Sequence, residues 1–78
     1  MAQVEEIRTY IQEGLPCQAL EVEGDGRHFQ ALVVSEAFRG KRKVQQHQLV
    51  YQALGPAMGT EIHALALTTL TPEEWERL

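Results

Sequence analysis

The chain has 78 residues, a formal net charge of −4 and one cysteine, and it is 44% hydrophobic and 23% charged. This size predicts a single domain over residues 1–78, and the composition excludes both a disordered chain and a disulfide scaffold. The apolar runs are too short to cross a bilayer, and residues 1–6 lack the basic and apolar regions of a signal peptide. We therefore expect a soluble, cytoplasmic protein with no membrane partner.

The N-terminal segment predicts a first helix over residues 3–13. Its apolar residues recur at helical spacing, and Gly14 followed by Pro16 is typical of a helix end. The apolar positions are Val4, Ile7 and Ile11, with Tyr10 beside them.

The next segment predicts a β-hairpin. Residues 17–23 alternate imperfectly between apolar and polar, and residues 28–35 are rich in β-branched and apolar side chains. Between them, the sequence Glu-Gly-Asp-Gly at 23–26 carries turn chemistry and predicts a four-residue connection.

A short irregular segment at 35–40 precedes a second helix. Gly40 separates the two, and Gly55 with Pro56 ends a helix predicted over residues 43–54. Its expected apolar face consists of Val44, Val50, Tyr51 and Leu54. His47 lies one turn before Tyr51, and we interpret it as a packing residue.

The C-terminal segment predicts a strand and a short helix. Residues 61–68 alternate as a third strand does, with Ile62, Ala64 and Ala66 on one face and His63, Leu65 and Leu67 on the other. Thr71, Pro72 and Glu74 form a capping signal that starts a final helical turn carrying Trp75. The order helix, strand, strand, helix, strand, helix predicts an α+β fold, with helices packed on a three-stranded sheet.

The basic residues are concentrated in one short run. Four of the seven, Arg39, Lys41, Arg42 and Lys43, fall within five positions, whereas acidic residues dominate both ends. This run predicts a local basic patch, which is either a solvated face before the helix or a contact for a nucleic acid or an acidic partner. The net charge of −4 opposes general nucleic-acid binding, because counterion release rewards a basic surface.

Three segments, in this order, resemble the BolA family, whose fold is a variant of the type II KH arrangement. Residues 29–41 are similar to the family's second strand and its exit, and residues 46–51, Gln-His-Gln-Leu-Val-Tyr, to its central helix. Residues 62–65, Ile-His-Ala-Leu, with 71–75, Thr-Pro-Glu-Glu-Trp, are similar to its C-terminal signature. The resemblance covers about residues 4–77.

The resemblance implies a role in iron-sulfur cluster trafficking or iron-dependent regulation, together with a monothiol glutaredoxin. Such complexes share a [2Fe-2S] cluster that the glutaredoxin cysteine and glutathione ligate from one side. The BolA-like partner supplies a histidine from the C-terminal signature and a histidine or cysteine from the hairpin region, which here correspond to His63 and His28. A ligand histidine usually needs an acceptor for its other ring nitrogen, which the sequence does not identify.

Other interpretations stay open. A DNA-binding regulator could use the basic run and the following helix, although Gln46 and Gln48 stand where arginines often flank the helix histidine. A glutaredoxin contact without metal and a homodimer are further alternatives. Cys17 is interpreted as a small buried residue. No paired acid and base or phosphate-binding glycine loop is apparent, so we do not expect an enzyme.

Overall fold

The computed structural model describes residues 3–59, 62 and 64–78. Its elements are α1 (Val4–Gly14), β1 (Ala19–Gly24), β2 (His28–Val34), α2 (Lys43–Leu54), β3 (Ala64–Leu70) and α3 (Pro72–Glu76). One 3₁₀ turn (Glu36–Phe38) leads from β2 toward α2, and a second (Gly55–Ala57) follows α2 directly. The predicted α+β class and element order are confirmed.

Within the described residues, the strands form one mixed sheet in the order β1-β2-β3. The hairpin makes β1 and β2 antiparallel, whereas the crossover through α2 makes β3 parallel to β2. Side chains alternate across the sheet, so that Val22, Phe29 and Ala31 enter the core beneath the helices. The other face carries polar and small residues such as Glu21, Gln30 and Thr68, all exposed.

The observed strand bounds differ from the predicted ones by up to three residues. The first strand starts at Ala19 instead of residue 17, and the third covers Ala64–Leu70 instead of 61–68. The side chains of Leu67 and Thr69 continue its core-facing side, and Thr69 is buried because its hydroxyl finds a partner there. Residues 60, 61 and 63 lie outside the described part of the chain.

α1 and α2 pack closely because one position on α1 has no side chain. A Cβ built on Gly14 would lie 2.5 Å from the Cβ of Ala53, far inside van der Waals contact. We predicted Gly14 as a stop signal, but it is the last residue of the helix, and the extended Leu15 is the cap. Gly14 therefore serves close approach between the helices.

The bounds predicted for α2 are confirmed, but half of its predicted apolar face is wrong. Val50 and Leu54 are buried, whereas Val44 is 61% exposed and Tyr51 is 38% exposed. Gln46 is buried in their place, at 4% exposure. A glutamine is tolerated there because neighbouring groups satisfy its amide, as described below.

α3 begins with the predicted capping box. The Thr71 side chain accepts from the Glu74 backbone N–H, and the Glu74 carboxylate accepts from the Thr71 N–H at 2.8 Å. The same Thr71 N–H bond lowers the pKa of Glu74. Within the described residues, no helix combines the length and the apolar character needed to cross a membrane.

Candidate functional site

His28 is the first residue of β2, beside the hairpin turn. In the parallel pairing with β3, it lies directly opposite Ala64. Its imidazole is 78% exposed. Because the N-terminal ends of parallel strands meet at one edge of the sheet, the start of β3 lies next to the hairpin turn. We call this edge the hairpin end, comprising residues 24–28 and Ala64.

The hairpin turn is organised by one carboxylate. Oδ1 of Asp25 accepts hydrogen bonds from the backbone N–H groups of His28 and Arg27, each at 2.9 Å. These two bonds, His28 first, lower the pKa of Asp25. Gly26 has φ +99°, which a residue with a side chain rarely adopts. Strand pairing extends to Gly24, which lies opposite Phe29, so the connection is the three residues 25–27 instead of the predicted four.

An open groove lies beside His28. Its volume is about 570 Å³, and both strand ends and the turn contribute to its walls. The lining residues are Glu23, Gly24, Asp25, His28, Phe29, Gln30, Ala64, Leu65 and Ala66. This arrangement presents an imidazole and two carboxylates to solvent.

His63, the second predicted ligand, lies outside the described residues. Its neighbour in the sequence, Ala64, is the residue opposite His28. Ile62, which precedes His63 in the sequence, is fully buried and forms an isolated parallel β-bridge with Met58. The ligand role of His63 stays a prediction.

The basic run lies at the opposite end of the sheet, and internal contacts engage half of it. Arg39 donates to Glu73 at 2.7 Å and to Glu36 at 2.9 Å. These carboxylates raise the pKa of Arg39, and the Arg39 hydrogen bond lowers the pKa of Glu36. Lys43 donates to the backbone carbonyl of Thr69 and lies 3.8 Å from Glu74.

Lys41 and Arg42 are exposed, and among the described residues neither side chain takes part in an ion pair. Two of the four basic side chains predicted to meet a nucleic acid or a partner thus form ion pairs with α3 carboxylates. Arg39 and Lys43 instead join the first 3₁₀ turn, α2 and β3 to the C-terminal helix.

Two further residues that the sequence singled out have modest surroundings. His47 on α2 is half-buried, and its packing role stays a prediction. Cys17 is half-buried just before β1, and burial raises the pKa of its thiol. A raised pKa leaves less of the nucleophilic thiolate at neutral pH, as expected for a structural cysteine.

Sequence reasoning missed two residues near these sites. Asp25 was assigned only to a turn, although the pattern Asp-Gly-x-His places its carboxylate within reach of the histidine backbone. Gln46 was treated as a replaced surface arginine, yet its amide is internal. It donates to the carbonyls of Phe38 and Lys41 and accepts from the Thr69 hydroxyl at 2.7 Å.

Comparison with known proteins gives this architecture a family. The family model described as BolA-like protein matches residues 10–74. The chain is 40% identical over 76 residues to the acid stress protein IbaG of Escherichia coli, covering 92% of this chain and 87% of that protein. Among solved structures, a BolA protein homologue from Coxiella burnetii matches with TM-score 0.88 and 44% identity over 99% of this chain and 100% of that one.

A small α+β domain of this topology is thus shared with proteins of known name. This chain belongs to the BolA-like protein family. A further relative, from Haemophilus influenzae, is named DNA-binding transcriptional regulator BolA and is 49% identical over 53 residues. That match covers 68% of this chain but 52% of the relative, so the chain spans about half the length of that protein.

Proposed function

We propose that this protein is a non-catalytic adaptor that binds a monothiol glutaredoxin. In the proposed complex, His28 and His63 ligate a [2Fe-2S] cluster whose other ligands are the glutaredoxin cysteine and glutathione. The observation that carries the proposal is the exposed His28 imidazole beside an open groove at the hairpin end. A cluster carried on a partner's surface requires donors that are similarly exposed.

The donor chemistry of this chain fits such a cluster. Imidazole ligates iron in Rieske-type centres, where its neutrality raises the reduction potential relative to thiolate ligation. His28 lies directly opposite Ala64, the residue that follows His63 in the sequence. Because an imidazole must be deprotonated at the binding nitrogen, acid should weaken the shared site.

The test mixes the purified protein with a cluster-loaded monothiol glutaredoxin and glutathione. Visible absorption and circular dichroism are recorded for the wild type, His28→Ala and His63→Ala. His47→Ala is the matched control, since it removes the third histidine from half-buried surroundings on α2. We expect altered spectra for the first two variants and a wild-type spectrum for the control.

Two results would contradict this assignment in different ways. Identical spectra for all variants would show that neither proposed histidine ligates the cluster. If the protein binds apo-glutaredoxin as tightly as it binds cluster-loaded glutaredoxin, and if neither iron nor His63→Ala changes that affinity, the result would favour an interaction module that contacts glutaredoxin without metal. Titration of the complex by gel filtration with and without cluster separates the two.

A second candidate is a DNA-binding regulator, favoured by the name of the Haemophilus influenzae relative. The surface available for it is smaller than the sequence predicts, because Arg39 and Lys43 are paired internally. The exposed pair Lys41 and Arg42 would then have to supply most of the phosphate contacts. The net charge of −4 also opposes this role.

Salt-dependent DNA binding separates this candidate from the adaptor. Removing one phosphate-binding cation reduces the slope of log affinity against log salt by about one. The double variant Lys41→Gln with Arg42→Gln should therefore lower affinity and slope, while Arg39→Gln should change them little. Absence of measurable DNA binding at low salt would eliminate this candidate.

A further inference from the structure

The exposed His28 ring needs a partner to hold it in one orientation. Metal-ligating histidines usually donate from their second ring nitrogen to a carboxylate, a carbonyl or water, which fixes the tautomer and the ring plane. With 78% of its side chain exposed, His28 has little packing to provide that restraint. An adjacent acceptor is therefore the remaining means of orienting it.

Asp25 is placed to be that acceptor. Its Oδ1 is anchored by the two backbone N–H groups of Arg27 and His28, so the carboxylate cannot rotate away without breaking the turn. Its second oxygen, Oδ2, lies 3.9 Å from Nδ1 of His28. A small rotation of the exposed ring brings this pair into hydrogen-bond range.

Glu23 provides a comparison within the same groove. It also carries a carboxylate on the groove wall, but in the antiparallel register it lies opposite Gln30. Among the described residues, it makes no ion pair with His28. Glu23 and Asp25 therefore contribute equal charge to the groove and differ in their geometry toward the ring.

We infer that Asp25 is a positioning residue for His28, accepting a hydrogen bond from Nδ1–H and leaving Nε2 free to bind the shared cluster. This inference rests on the proposed function. The same carboxylate thus closes the hairpin turn with one oxygen and selects the histidine tautomer with the other. The turn and the ligand are coupled through one side chain.

The variant Asp25→Asn tests the second role while keeping the first. An asparagine Oδ1 can accept the same two backbone N–H bonds, which then turn its Nδ2 amide, a donor, toward the ring. A donor at this place favours the lone pair on Nδ1 and the proton on Nε2, which blocks the nitrogen assigned to the cluster. The matched control Glu23→Gln removes an equal charge from the same groove.

Two measurements follow from these variants. In the protein alone, ¹⁵N chemical shifts of the His28 ring should show the Nδ1–H form in the wild type and in Glu23→Gln, and a shift toward Nε2–H in Asp25→Asn. In the complex with glutaredoxin, Asp25→Asn should lose cluster on the order of tenfold more readily, the lower end of outer-shell effects. Glu23→Gln should retain cluster as the wild type does.

The results distinguish failure of this inference from failure of the proposed function. An unchanged tautomer in Asp25→Asn, or equal cluster loss in Asp25→Asn and Glu23→Gln, would overturn the positioning role. If His28→Ala alters the cluster spectrum while Asp25→Asn matches the wild type throughout, only the positioning role is wrong. If His28→Ala leaves the spectrum unchanged, the proposed function is wrong, and the ligand-positioning role with it.

Discussion

The two ends of the sheet hold their polar groups in opposite ways. At the hairpin end, the Asp25 carboxylate organises a turn in solvent, and His28 is exposed beside an open groove. At the other end, where β2 leads into the first 3₁₀ turn and β3 leads into α3, polar groups are paired with one another. We call this the closed end; it comprises residues 34–46 and 69–74.

This difference shows which part of a small domain is available to a partner. At the closed end, Gln46 joins α2 to Phe38 and Thr69, and Arg39 joins the first 3₁₀ turn to α3. Contacts with a partner there would compete with bonds that hold the fold together. At the hairpin end, an interaction with His28 replaces water, so binding costs little internal structure.

The largest expected loss of stability comes from a substitution that removes the hydrogen bonds at the centre of the closed end. Gln46→Leu removes an amide that satisfies two carbonyls and the Thr69 hydroxyl, all in surroundings where Gln46 is only 4% exposed. The Phe38 carbonyl keeps a bond from the Lys41 N–H, whereas the Thr69 hydroxyl and the Lys41 carbonyl lose their bonds to Gln46. This loss should lower the free energy of unfolding by about 2–4 kcal/mol. Urea unfolding followed by circular dichroism measures this loss.

Gln48→Leu on the same helix is the control for Gln46→Leu. Gln48 is exposed, so the same chemical change there should alter stability by no more than about 0.5 kcal/mol. Equal losses in both variants would mean that the Gln46 network contributes nothing beyond helix propensity.

How much of the structure the sequence predicts depends on whether the residues in contact are close together in the chain. The start of α3 was predicted to the residue, because Thr71, Pro72 and Glu74 contain the whole capping signal within four positions. The burial of Gln46 was not predicted, because its partners Phe38 and Thr69 come from other elements. Contacts of long sequence separation leave no local pattern.

The candidate site also combines features that the local sequence indicates with features that depend on residues far along the chain. The family resemblance alone singles out His28, since a histidine beside a glycine-rich turn is otherwise typical of a solvated loop. Its place opposite Ala64 depends on the parallel pairing of β2 and β3, which are separated along the chain by α2. Likewise, the basic run looked like a free patch because the carboxylates of α3 that pair with it lie far along the chain, at Glu73 and Glu74. Counting charge in sequence does not show which charges are neutralised.

The second prediction compares one capping side chain from each end. Ser35 is fully buried, donates to the Pro16 carbonyl at 2.6 Å and accepts from the Ala37 N–H, whereas Asp25 caps its turn in solvent. Ser35→Ala should cost about 1–3 kcal/mol of unfolding free energy, because both hydrogen bonds of a fully buried hydroxyl are lost. Asp25→Ala should lower the urea midpoint less, since water replaces its bonds.

Ser35→Thr keeps the hydroxyl and is the control for Ser35→Ala. Asp25→Asn keeps the acceptor oxygen and is the control for Asp25→Ala. Asp25→Asn should be close to the wild type in stability. A larger loss in Asp25→Ala than in Ser35→Ala would contradict the distinction between an open hairpin end and a closed opposite end.

The smallest expected effect concerns the ion pairs that attach α3. Arg39→Gln removes hydrogen bonds to Glu36 and Glu73, but these groups are exposed, so the urea midpoint at pH 7 should fall by less than in Ser35→Ala. The matched control Lys41→Gln removes an exposed charge without an ion pair and should have a smaller effect still.

The effect of Arg39→Gln should also depend on pH. Arg39 lowers the pKa of Glu36 in the folded protein, so the folded state binds fewer protons there than the unfolded state. This stabilisation is complete above the ordinary Glu36 pKa of 4.5 and is lost as pH falls through the lowered value. The difference between wild type and Arg39→Gln should therefore shrink in acid, and a difference that grows in acid would contradict the assigned ion pair.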